Sequence, residues 1–184
     1  NFFKTIRGEL GNLTIYDTDV DEIGIPIESP VKHWIPMSMW EKTVKIFNKR
    51  APRFGNKISI QLMILYLSKS WFVQKAISKS ELEDKPIFWH DIGSARDKEQ
   101  IARLGGWPLI SKLGDLSDNK IRFFKRMELP TTYCYDCDNW SFIAGSHIYG
   151  NRSAWAFVVD DIKNAVLDNV AKYEDGLCDE TIYL

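Results

Sequence analysis

Apolar residues step along this chain with two different periods, and the period decides the element. Trp155, Val158, Val159, Ile162, Val166, Val170 and Tyr173 recur every three or four residues, so a long amphipathic helix is predicted from Arg152 to Tyr173. Trp40, Val44 and Phe47 follow the same rule. Ser38 and Glu41 stand at capping-box spacing ahead of them, so a helix of about three turns is expected there, ending before Pro52 to Asn56. From Lys57 to Ser78 apolar residues occur on nearly every face, including Leu62, Leu65, Tyr66, Phe72, Val73 and Ile77, which predicts one long buried helix.

Four shorter runs read as strands. Leu13 to Tyr16 is β-branched and aromatic and ends in an acidic turn, Asp17 to Glu22. After a polar linker at Ser80 to Lys85, Pro86 opens Ile87-Phe88-Trp89, which is apolar on both faces as in a central strand. Lys120 to Met127 and Phe142 to Gly145 complete the set, the latter followed by a polar turn. A short helix is expected from Ser94 to Gly105, and a last helical piece begins at Asp179. Alternating strands and helices predict an α/β sandwich with a mainly parallel central sheet, in a single domain over residues 1–184. In such sheets ligands gather beyond the carboxyl ends of the strands.

Composition narrows the function classes. Apolar residues make up 45% and charged residues 27%, the balance of an ordinary globular protein. The net charge is −1 with both signs scattered, so nucleic acid is not an expected partner. Seven tryptophans among 13% aromatics suit either a ring-rich core or a site that stacks sugars and bases. Three cysteines argue against a disulfide framework, and the single pair Cys134 and Cys137 lacks the further ligands a structural zinc needs. No stretch has the ~20 apolar residues of a membrane span. An anchor upstream of Asn1 stays open, and the expected location is the cytoplasm or a membrane surface.

The candidate chemistry is carboxylate chemistry. Asp91 follows an apolar strand directly, where a carboxylate needs water, a cation or hydrogen-bond donors, and Gly93 lets a ligand approach the backbone. The same residues equally suit a strand-ending turn capped by Asp91. Asp17 and Asp19 form a D-x-D that reads either as a metal site or as a solvated loop. Arg96 can take a phosphate bidentately or pair with Asp97 or Glu99. His147 lies in a Gly-bounded turn from Gly145 to Gly150, able to contact a sugar or close a metal shell, and His90 alternates with Asp91 across its strand. Asp179 and Glu180 suit a helix start, or a general base and sugar ligand.

The order of these segments resembles the HtrL/YibB (WlaTC/HtrL/YibB) family, whose members are classed with the glycosyltransferases. The resemblance runs from about Ile58 to the chain end. It is carried by Tyr66 to Val73, similar to a W-x-x-K-x-x-F-V segment, and by Trp89-His90-Asp91-Ile92-Gly93 with Arg96, similar to W-x-D-I-G-x-x-R. Ile143-Ala144-Gly145 and Asp179-Glu180 resemble later family segments. The resemblance implies a GT-A-like (Rossmann-like) fold, whose first nucleotide-binding strand lies upstream or is missing. It also implies a UDP- or GDP-sugar donor, a glycan or other hydroxyl acceptor, and Mn²⁺ or Mg²⁺. Donor contacts would fall to Asp91, Gly93, Arg96, Gly145 and His147, the metal to Asp91, and sugar contact or acceptor activation to Asp179 or Glu180. Asp91 stands as a single carboxylate where many such enzymes have two. Two other activities fit the residues: a metal-dependent phosphoester hydrolase using Asp17, Asp19 and Asp91, and a non-catalytic carbohydrate-binding protein.

Overall fold

The computed structural model describes residues 18–50, 58–79, 85–91, 118–125 and 143–173. Among these, four α-helices and three strands follow one another: α1 (Met37–Arg50), α2 (Ile60–Leu67), α3 (Lys69–Ser78), β1 (Ile87–His90), β2 (Arg122–Lys125), β3 (Ile143–Gly150) and α4 (Arg152–Tyr173). No helix among the described residues is long and apolar enough to cross a membrane.

The sheet is antiparallel throughout, in the order β1-β3-β2. This overturns the expected mainly parallel sheet, and with it the GT-A-like α/β/α sandwich. The expectation rested on apolar faces and on alternation of elements, and neither sets strand direction. A strand covered on both sides is apolar on both sides whichever way its neighbour runs. β3 is the central strand and takes its partners head to tail, with Phe88 opposite Tyr149 and Trp89 opposite Ile148 on one flank. On the other, Arg122 faces Tyr149 and Phe123 faces Ile148, before the register shifts between Phe123 and Phe124. The described part of the molecule is mostly helical.

β3 also runs further than its sequence suggests. The segment from Gly145 to Gly150 is strand, so His147 is paired with His90 of β1 and does not lie in a turn. Glycines at both ends signalled a loop, but pairing with β1 from His147 to Gly150 carries the strand to the second glycine, and the register shift on the β2 side falls beside the first. Gly150 is needed for space. A Cβ there would lie 2.8 Å from the Ile121 side chain and 3.1 Å from the Lys120 carbonyl.

One face of the sheet packs on helices. α4 keeps the predicted bounds and buries Trp155, Val158, Ile162 and Val166 along one stripe. Those residues join Ile148, Met63, Ile64, Leu67 and Val73 in the core, with Ile87, Trp89, Ile121 and Phe123 packed against it from the sheet. The Trp155 indole donates to the Ile87 carbonyl at 3.2 Å, which lets a fully buried indole keep its hydrogen bond. Across the helices, Gln74 donates to the carbonyls of Trp155 and Ala156. Arg152 returns a bond to the Ile77 carbonyl at 3.3 Å.

The expected single helix from Lys57 to Ser78 is two helices broken at Ser68. The Ser68 hydroxyl donates back to the Ile64 carbonyl at 2.8 Å, and its oxygen meets Ser29 Oγ at 3.0 Å. Since Ser68 has one hydroxyl proton and gives it to Ile64, Ser29 is the donor between the two. α1 likewise begins at Met37, with the Pro36 carbonyl accepting from Met39 and Trp40, so Ser38 lies inside the helix and not at its cap.

Candidate functional site

β1 delivers its residues alternately to the two faces of the sheet. Ile87 and Trp89 turn toward the helices, and Trp89 lies nearly parallel to the Phe72 ring, with centroids 6.1 Å apart. Phe88 and His90 take the opposite face, where Phe88 lies against Tyr149. Asp91, one residue beyond the strand, returns to the helix side.

Among the described residues, two groups hold the Asp91 carboxylate there. The Trp89 indole donates to Oδ1 at 2.5 Å, and the Lys69 ammonium donates to Oδ2 at 3.4 Å. Lys69 comes from the first turn of α3, directly after the break at Ser68, and only 6% of its side chain is exposed. Its ammonium also lies 4.9 Å from the centre of the Tyr66 ring. The Asp91 side chain keeps 33% of its surface exposed, so the pair has a buried cationic half and a solvent-facing anionic half. Trp71 and Phe72 extend the aromatic wall beside Trp89.

On the other face, His90 and His147 are direct partners across β1 and β3. Their Nδ1 atoms are 2.9 Å apart, with ring centroids 4.7 Å apart and planes 19° apart. A nitrogen separation so much shorter than the centroid separation means that the rings meet through their Nδ1 edges. One ring must then donate while the other accepts.

The expected site is therefore divided. Asp91 stands at a strand end as expected, and β3 pairs His147 with His90. Gly145 lies within β3. Asp17, Gly93, Arg96, Asp179, Glu180 and the three cysteines fall outside the described residues. Asp19, the described half of the D-x-D, is exposed, and its carbonyl accepts from the Ile27 amide at 2.9 Å. The neighbouring Asp21 organises that loop from within, accepting from the amides of Ile25 and Ile23 and pairing with Lys32 at 3.1 Å. These donors, the Ile25 amide foremost, hold the Asp21 carboxyl below the usual carboxylate range. Gly24 closes the turn at φ +80°, a conformation suited to glycine.

Lys69 is the residue that sequence reasoning left without a role. A lysine three residues after Tyr66 in a helix apolar on nearly every face must bury its stem, and a buried ammonium needs an anion. That signal was present without the identity of the anion.

Among the described residues, no three His, Cys, Asp or Glu side chains come together as a metal site. Mn²⁺ and Mg²⁺ require several oxygen ligands. Asp91 offers one carboxylate, with an indole on one oxygen and an ammonium on the other, so the described donors do not fit either ion. Compared with models of known families, with curated proteins and with solved structures, the chain finds no match.

Proposed function

We propose that this chain is a sugar-transferring enzyme (a hexosyl- or related transferase) that receives a UDP- or GDP-sugar at the Asp91 end of β1. The observation that supports the reading is the Lys69–Asp91–Trp89 unit. A carboxylate oriented by two donors and still partly exposed is suited to accept hydrogen bonds from vicinal hydroxyls, of a donor ribose or of the sugar. The indole and the neighbouring rings offer the flat apolar surface that sugars and bases stack on. The ordered sequence segments resembling glycosyltransferases run through both halves of the unit, since Lys69 lies in one and Trp89 and Asp91 in the other. The reading does not depend on a parallel-sheet crevice.

In this reading Asp91 binds and orients the donor, and Lys69 holds the carboxylate in place. Transfer also needs charge on the leaving diphosphate offset and a proton removed from the acceptor hydroxyl. Arg96 is proposed for the first task and Asp179 or Glu180 for the second. No step is routed through a divalent ion.

Calorimetric titration of the chain with UDP, GDP and their sugars, with and without Mn²⁺, tests this. Asp91→Asn keeps an acceptor for the Trp89 indole while removing the charge, and is expected to weaken nucleotide-sugar binding at least tenfold with folding retained. Absence of binding to every donor in both conditions sinks the proposal. So does undiminished binding by Asp91→Asn.

A further inference from the structure

We infer that His90 and His147 form a two-histidine anchor for a borderline divalent transition ion, of the zinc, nickel or copper kind, on the sheet face opposite Asp91. The pair does not draw on the sugar-transfer reading, and its ligands differ from the oxygen donors that Mn²⁺ or Mg²⁺ would use.

The backbone sets the two rings. Antiparallel register makes His90 and His147 direct partners across β1 and β3, while on the β2 side the register jumps from Ile148 to Ala144 and passes His147 by. Their Nδ1 atoms face one another at 2.9 Å. Metal–imidazole bonds are about 2.0–2.1 Å, so two nitrogens on one ion stand roughly 2.9 Å apart at a right angle and roughly 3.3 Å apart in a tetrahedron. The observed spacing meets the square-planar geometry of Cu²⁺ or Ni²⁺ directly, and Zn²⁺ asks for an opening of a few tenths of an ångström. The remaining positions on the ion would be taken by water or by an incoming ligand.

The pair can exchange its hydrogen bond for an ion without a net change in protons. As a hydrogen bond, the contact needs one ring to carry its proton on Nδ1 while the other keeps a lone pair there. An ion accepts both lone pairs and leaves both rings in the Nε2–H form, with no proton gained or lost when both start neutral. Doubly protonated rings would instead point two N–H groups at each other. Among the described residues, Arg122 stands opposite Tyr149 on this face, and Asp118 Oδ1 lies 2.7 Å from its guanidinium, which offsets that charge.

The test uses the full chain with Cys134→Ser, Cys137→Ser and Cys178→Ser, so that thiols do not compete, stripped with EDTA and titrated with Cu²⁺, Ni²⁺ and Zn²⁺. Saturable binding of one ion per chain is expected, tightest for Cu²⁺, with a rise in Tm that grows with ion concentration. Binding should weaken at least tenfold in His90→Asn and in His147→Asn, and should also weaken in acid, where protons compete with the ion for the imidazole lone pairs. Nitrogen NMR of the unsubstituted histidines gives a measurement that does not rely on either variant folding. Zn²⁺ should shift both Nδ1 resonances and leave both Nε2 protonated. Absence of binding, binding unchanged by both substitutions, or a Zn²⁺ response at neither Nδ1 overturns the inference.

Discussion

The side-chain amide of Asn48 donates to the Ile58 carbonyl and accepts from the Ile58 amide, both at 2.8 Å. It thereby treats one backbone residue as a strand partner would, and fixes the chain's entry into α2 against α1. Asn48→Ala leaves both backbone groups of a half-buried residue without these partners, which is expected to cost about 1–3 kcal/mol in urea unfolding. Asn48→Asp keeps the acceptor but sets a carboxylate against a carbonyl oxygen, so it should not rescue. The Lys69–Asp91 pair yields a sharper residue-scale prediction, because its two ends differ in burial. Asp91→Asn leaves a buried ammonium without its carboxylate, whereas Lys69→Met leaves a carboxylate that still reaches water and the Trp89 indole. Asp91→Asn should therefore destabilise more than Lys69→Met, and the double variant should recover part of the difference. Equal single costs that simply add would show that the pair contributes no coupling. Asp91 was legible in the sequence because a carboxylate directly after an apolar strand is costly anywhere except at a site or a turn. Its cation was not, because Lys69 precedes it by 22 residues and no local pattern spans that distance.

Among the elements, α4 was legible to the residue because its pattern is local: each buried position lies three or four residues from the next. The break in the Lys57 to Ser78 helix was not. Ser68 carries no helix-stopping chemistry of its own, and its role comes from Ser29, 39 residues away. Strand direction was illegible for the same kind of reason, since pairing is a property of two segments and apolar faces do not record it. The start of α4 shows how a cap joins elements. Asn151 Oδ1 accepts from the Ala154 amide at 2.7 Å, while its Nδ2 donates to the Asp118 carbonyl and to Asn119. Asn151→Ala should cost about 1–2 kcal/mol, at or above the upper end for a cap because the cross-link to the turn before β2 is lost as well. Asn151→Asp retains the cap and loses both donated bonds, so the difference between the two variants in denaturant unfolding separates capping from cross-linking. Gly150→Ala, one residue earlier, should destabilise through overlap with Ile121 and the Lys120 carbonyl, by about 1–3 kcal/mol.

At the scale of the whole molecule, charge both holds the segment from Thr18 to Trp34 together, through Asp21, and fastens it to the helices, through Glu28, and these contacts carry a pH dependence with a definite sign. Glu28 pairs with Lys75 of α3, and this hydrogen-bonded ion pair holds the Glu28 carboxyl below its usual range. Asp21 is also held low, chiefly by the Ile25 amide and then by Lys32 and Ile23. For both, the unfolded chain binds protons at a higher pH than the folded one. Their contributions are therefore complete above the ordinary carboxylate range and are lost as pH falls through the lowered folded values. Thermal unfolding followed from pH 7 downward should show Tm declining below about pH 4–5. Glu28→Gln and Asp21→Asn should each reduce the slope of that decline, with Tm lowered at neutral pH and converging on the unsubstituted chain in acid. Salt separates the two causes. The Glu28–Lys75 pair is exposed on its acidic side, so 1 M NaCl should shrink the effect of Glu28→Gln. The Asp21 effect rests first on a backbone amide four residues ahead within the same turn, and should persist in salt. A Glu28→Gln effect that survives salt unchanged, or a slope that neither substitution alters, would place the acid sensitivity elsewhere in the chain.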